Sequence, residues 1–471
     1  MADELAYICK RTVVSAKPVQ PDKYHELSAL DCLMEPNRHL MMVYYYRTGR
    51  SREAAGSVGE ATRRLREGLS EALTYFPAVT GRLLQGKEEE DQGQGQGSKR
   101  RSKWVVRCND AGVRVVEACV RGSVDDWLRN VDWEKEKRLI HWEEMYHKPY
   151  FWSTFYVQLT EFEEGGLAIG LSCTHLLSDP ICATMFMKAW ADVTLRGKMT
   201  HPPLFHPLPA HQPGIRSAIR PIDPFTDLCG RCQSPATLAS PTSVHNKHST
   251  ISLSFSDQTV RSCMEKSAGG GGGEGGSPSP FEAVTGLIWA AVSRVRGLDD
   301  GLVGLTIGLD MRRVLGLDDG FFGNCMVYAH IQPELGENGL TAAAAAIRDR
   351  ITKFEKERVK DLIEWLEHND GTEPTQRMLT DSELMCVNLD TLDLGWTIFE
   401  DGSSPIRISH YMEPVCNGGQ FLILPSPSGD GPFGRVVTIT LPEEEVDRLL
   451  RDDLINDFGP TVLIGAITAQ A

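Results

Sequence analysis

The stretch "GLAIGLSCTHLLSDPICATMFMKAWA", residues 166–191, holds a strand, a turn and a helix in 26 residues. "LAIGLSCT" (167–174) is apolar nearly throughout and reads as a strand buried on both faces. Ser178 and Asp179 are both good helix N-caps. Cys182, Ala183, Phe186, Met187 and Trp190 then recur on one helical face. Between strand and helix stands His175, with Asp179 four residues on. A histidine at such a junction is placed to project into a cleft, where neutral imidazole can take a proton from a hydroxyl or amine. That role contributes about 10²- to 10⁴-fold to a rate. The plainer reading is a packed strand-end histidine followed by a capping aspartate. With thirteen histidines in the chain, H-x-x-x-D alone does not separate the two.

The same alternation of elements continues on both sides. "TFYVQLTEF" (154–162) has the alternation of a half-buried strand, and "EEGG" is a turn. Upstream, Leu65, Leu69, Ala72 and Leu73 lie at helical spacing in "ATRRLREGLSEALTYFP" (61–77), which Pro77 ends. "KWVVRCNDAGVRVVEACV" reads as two short strands around Asn109–Gly112. Downstream, "SPFEAVTGLIWAAVSRVRG" (279–297) is a helix closed by Gly297, and "LVGLTIGLDMRR" follows as a buried strand. Interleaved strands and helices define an α/β (α+β) class. Length, at 471 residues, calls for more than one core. Residues 199–250 are proline-rich and aperiodic, an interdomain crossing between domains at 1–198 and 251–471. Residues 86–103 and 267–280 read as solvated loops.

Composition excludes several classes. A net charge of −15 argues against a nucleic-acid partner, which needs a positive surface. No run of 18 apolar residues is present, so no transmembrane segment is expected, and the N-terminus reads as mature protein. There is no G-x-S-x-G elbow for an esterase. Cys229 and Cys232 with His245 and His248 approach a zinc-finger spacing. The H-x-x-H pair is too tight, however, and the two prolines between the pairs cannot build a finger core; no metal is expected. Cys173, Cys182 and Cys325 sit in apolar runs and read as reduced, packed thiols. Tyr44–Tyr46 read as strand core, and "EEEVDRLLRDD" (443–453) as a solvated helix face.

Taken together, the chain resembles the BAHD family of plant acyl-CoA-dependent acyltransferases. The likeness is carried by "LSALDCLM" (27–34), "MVYYYR" (42–47), "LSEALTYFPAVTGRLL" (69–84), "CNDAGVRVVEA" (108–118), "DMRR" (310–313) and "GFFGNCMV" (320–327), in that order. It implies two chloramphenicol-acetyltransferase-like domains with a channel between them, the histidine reachable from both mouths. His175 would be the general base. Asp179 would give structural support by pairing with an arginine such as Arg312 or Arg313. Acyl-CoA would be the substrate or ligand, with no bound cofactor and a chain that folds as a monomer.

The family's second signature, Asp-Phe-Gly-Trp-Gly two residues before a proline, is not kept. "DLGWT" (393–397) is similar, but Pro405 follows only after seven further residues; that register needs an insertion after Thr397, and anchoring on Pro405 instead, the register favoured, puts Phe399–Ser403 in its place. "VNLDTLDLGW" makes the chain most similar to the Eceriferum/Glossy branch. That branch implies a role in very-long-chain fatty acyl elongation for cuticular wax, altering the product length of a membrane condensing enzyme (a ketoacyl-CoA synthase). The setting implied is the cytosolic face of the endoplasmic reticulum, peripherally, or the cytosol. The alternative it leaves open is an active O- or N-acyltransferase.

Overall fold

"LAIGLSCT" is buried at every position, as a central strand covered on both faces requires, and it is flanked by a strand on each edge. The computed structural model describes residues 5–17, 23–34, 37–47, 60–85, 104–144, 152–209, 228–229, 247–269, 277–298, 301–333, 339–369, 383–395, 397–427 and 431–465. Its first sheet has six strands in the order β1 (Leu5–Val13), β6 (Val113–Val120), β7 (Phe155–Phe162), β8 (Leu167–Thr174), β3 (His39–Tyr46) and β13 (Arg407–Glu413). Only β6 and β7 run parallel; the other neighbours are antiparallel. Odd-numbered residues of β8 (Leu167, Ile169, Leu171, Cys173) face the main core, with Leu40, Met42, Tyr44 and Tyr46 of β3 beside them. Ala168 faces a second apolar cluster with Val43, Tyr45 and Trp127. Gly170 is required on that outer side, because a methyl there would come 2.0 Å from the carbonyl oxygen of Leu139.

The inner face is covered by α1 (Glu60–Leu73) and α4 (Pro180–Arg196), which pack on each other; Trp190 Nε1 donates to Leu65 O at 2.9 Å. The outer face carries α2 (Val124–Arg129) and α3 (Trp133–Lys137). A small sheet of β2 (Lys23–Glu26), β5 (Trp104–Cys108) and β4 (Arg82–Gln85) stands apart. The turn at Asn109–Gly112 therefore sends its two strands, β5 and β6, into different sheets. Asp110 and Gly112 adopt positive φ (49° and 79°) to do so.

The second sheet has seven strands in the order β11 (Met326–Ile331), β10 (Leu305–Asp310), β12 (Met385–Asn388), β14 (Gln420–Pro425), β15 (Arg435–Pro442), β9 (His248–Phe255) and β16 (Thr461–Ile464). The helix Pro280–Val295, opened by a capping box between Ser279 and Glu282, meets it where Thr285 lies 3.8 Å from Cys386 of β12. Strand β13 comes from the second half of the chain but pairs with β3 of the first sheet. Glu136 of α3 fastens it there: the buried carboxylate accepts from Tyr45 (2.7 Å), Ser409 (3.0 Å) and Tyr411.

Residues 86–103, 270–276 and most of 199–250, read above as loops, lie outside the described residues. So do Cys232 and His245, while Cys229 is buried and His248 opens β9. Cys173, Cys182 and Cys325 are buried free thiols. Among the described residues no helix is long and apolar enough to cross a membrane, and no cluster of His, Cys, Asp or Glu could hold a metal.

Candidate functional site

Strand parity carries past the end of β8, so His175 falls on the inner face with Cys173. Its backbone N–H donates to Arg38 O at 2.9 Å, extending the β3–β8 pairing by one step. The chain then turns into α4, whose N-cap is Asp179, accepting from the Cys182 amide at 2.9 Å, with Pro180 in the first turn. Sequence offered Ser178 or Asp179 for this cap; the structure uses Asp179.

Asp179 also holds the two halves together. Its second oxygen accepts from the Cys325 amide at 2.9 Å, and Arg312 bonds both oxygens, at 2.9 and 3.0 Å. Arg312, only 9% exposed, also reaches Asp310 (2.8 Å) and Gly323 O (2.7 Å), whereas Arg313 is exposed. Of the two arginines weighed from the sequence, Arg312 is the partner. Burial alone would raise the Asp179 pKa; the Arg312 charge and the four hydrogen-bond donors outweigh it and hold the carboxyl below its ordinary value.

His175 itself is 0% exposed. Burial disfavours the imidazolium and pulls its pKa down to about 4, against the weaker opposing pull of Asp179. The ring is neutral at pH 7. Its Nε2 lies 3.4 Å from the Tyr328 hydroxyl. Asn324 donates from Nδ2 to the carbonyls of His175 (2.7 Å) and Leu176 (3.3 Å), and its own amide donates to Asp31 at 3.0 Å. Burial raises the Asp31 carboxyl to about 6. The arrangement is a buried neutral imidazole whose Nε2 faces a phenol and whose Nδ1 has no hydrogen-bond partner among the described residues. That differs from the open access the resemblance implies: Tyr328 and the surrounding packing leave the ring no exposed surface. A cleft of about 540 Å³ is lined by residues of both halves, including Arg47, Ser254, Ile406 and Val436, but not by His175.

The segment standing in for the second signature packs onto the first half. Phe399 contacts Trp190 and Tyr46 edge-on, Thr397 O accepts from Tyr46 at 2.9 Å, and Asp393 pairs with Lys188 of α4. Trp396 lies outside the described residues. Sequence reading missed Asn324 and Tyr328 as parts of the site, although "GFFGNCMV" had marked the segment that contains Asn324. It also missed Arg38, which no periodic pattern flags.

The sequence profile of the Transferase family matches residues 4–452, and the chain belongs to that family, the BAHD acyltransferases. It is 30% identical over 430 residues to rosmarinate synthase of Plectranthus scutellarioides, covering 90% of this chain and 93% of that one. It is 24% identical over 451 residues to Protein ECERIFERUM 2 of Arabidopsis thaliana, covering 93% and 95%. Protein ECERIFERUM 26-like of the same plant is also 24% identical, with 93% and 92% covered. Among solved structures, F. sporotrichioides TRI101 complexed with coenzyme A and T-2 superposes with a TM-score of 0.72 at 16% identity, covering 94% of this chain and all of that one. Vinorine synthase gives 0.66 at 18% identity, covering 94% and 96%. The fold is thus the two-domain chloramphenicol-acetyltransferase type.

Proposed function

We propose that this protein acts in very-long-chain fatty acyl elongation for cuticular wax, shifting the product length of a ketoacyl-CoA synthase without turnover of its own. The observation that carries the reading is the closed histidine. His175 has no exposed surface, a pKa near 4, and a tyrosine hydroxyl at the nitrogen that would take an acceptor's proton. A base so weak and so covered is poorly matched to proton abstraction near neutral pH. Likeness to the Eceriferum proteins over 93% of the chain supports it, as does loss of the second signature. With no membrane-crossing helix among the described residues, residence at the cytosolic face of the endoplasmic reticulum would come from docking on that membrane enzyme.

A second reading, O- or N-acyl transfer from acyl-CoA, is favoured by the intact Asp179–Arg312 frame and by 30% identity to rosmarinate synthase. In it, Tyr328 swings aside and His175 Nε2 takes the proton of the acceptor hydroxyl or amine. The acceptor attacks the thioester carbonyl, the carbon–sulfur bond breaks, and CoA leaves as the thiol, receiving that proton. Release of free CoA thiol by the purified chain, offered long-chain and aromatic acyl-CoAs with alcohol and amine acceptors, separates the two. We expect equal rates for wild type and His175→Ala. Release that needs His175 would overturn the proposal.

A further inference from the structure

Two arginines sit deep at this junction, and among the described residues only one has counter-charges. Arg312 is held by Asp179 and Asp310. Arg38, just 2% exposed between the turn at Asn37 and β3, has no carboxylate within ion-pair distance among the described residues. Its Nη1 donates to the Met412 thioether at 3.3 Å, a weak acceptor, and its Nε has no partner. Burying a guanidinium strips its water, a loss that proteins normally offset with an anion.

Other groups around Met412 are left open in the same way. Gln420 Nε2 donates to Met412 O at 2.6 Å, yet its Oε1 has no partner. His410 precedes Met412 by two residues on β13 and so shares its face; it is fully buried with neither ring nitrogen bonded. Arg38 O is the acceptor for the His175 backbone, and the Arg38 charge bears on His175, Tyr328 and Cys416. A cation without a counter-charge among the described residues and the Tyr328 phenol thus lie beside the candidate base.

We propose that Arg38 is the receptor for a carboxylate ligand that enters beside His175. A monoanion matches the one charge left unpaired here among the described residues, and the planar carboxylate matches the guanidinium fork. A dianionic phosphate would leave one charge buried without a partner. The carboxylate belongs either to a hydroxy-acid acyl acceptor or to the head of a free long-chain fatty acid. The assignment does not depend on whether His175 turns over, because it is read out by binding alone.

The test is equilibrium binding to the full chain of two acids, mandelate and stearate, each against its methyl ester. At least one acid should bind about tenfold or more tightly than its ester, and which one does so names the source. The advantage should vanish in Arg38→Gln and persist in part in Arg38→Lys, both checked for folding by circular dichroism. Should Arg38→Gln not fold, the wild-type and Arg38→Lys comparisons decide. No preference for either acid in wild type, or the same preference in Arg38→Gln, overturns the assignment.

Discussion

His175 and His410 are the two buried imidazoles whose protons matter most to the folded chain. Burial pulls the first down to about 4 and the second to about 3, both below the ordinary 6.5. Above pH 6.5 both are neutral, folded or unfolded, and cost nothing. As pH falls through 6.5 the unfolded chain takes up these protons first, so stability drops toward pH 4. Asp31 works the other way: its raised value, about 6, lets the folded chain bind a proton first and regain stability between 6 and 4. Burial raises Asp310 as well, but it also lowers His25, His39, His141 and His330, so the histidines outweigh the aspartates. Urea midpoints should therefore fall between pH 7 and pH 5, and the fall should be shallower in His410→Asn; an unchanged slope in that variant would contradict the burial argument. Much of this scale was legible. Asp179 as one of two candidate N-caps followed from its place before an apolar helix, and its pairing with an arginine from the family resemblance alone. Tyr328, Asn324 and Arg38 did not, because each meets His175 across a long stretch of chain and local pattern carries no information about such contacts.

At the scale of elements, periodicity marked β7, β8 and α4, but β7, read as half-buried, is buried on both faces because α2 and α3 and their loops cover the outer side of the sheet as well. It could not say which sheet a strand joins. The strands around Asn109–Gly112 separate into two sheets, and β13, from the second half, completes the first. What fixes β13 is the buried Glu136, bonded by Tyr45, Ser409 and Tyr411. Glu136→Ala leaves three buried hydroxyls without their acceptor and should cost about 3 kcal/mol. Glu136→Gln, which keeps an acceptor oxygen, should cost clearly less. Equal losses, measured by chemical denaturation, would show that the carboxylate contributes only packing.

At the scale of the molecule, the two halves are not independent. Strand β13 and the Arg312–Asp179 pair each cross from the second half to the first. Residues 1–198 expressed alone would leave the edge of β3 open and Asp179 without its arginine. We expect that fragment to aggregate or lack a cooperative transition; a soluble monomer melting as sharply as the full chain would refute this. The proposed role is itself a property of the whole fold, in which the family's architecture is kept while His175 is fully buried.

Acyl-chain length in yeast co-expressing a plant very-long-chain ketoacyl-CoA synthase with this protein, or with its His175→Ala variant at equal abundance, tests that role most directly. Our account predicts that both lengthen the products to the same extent. Lengthening by the wild type alone, or by neither protein, would contradict it.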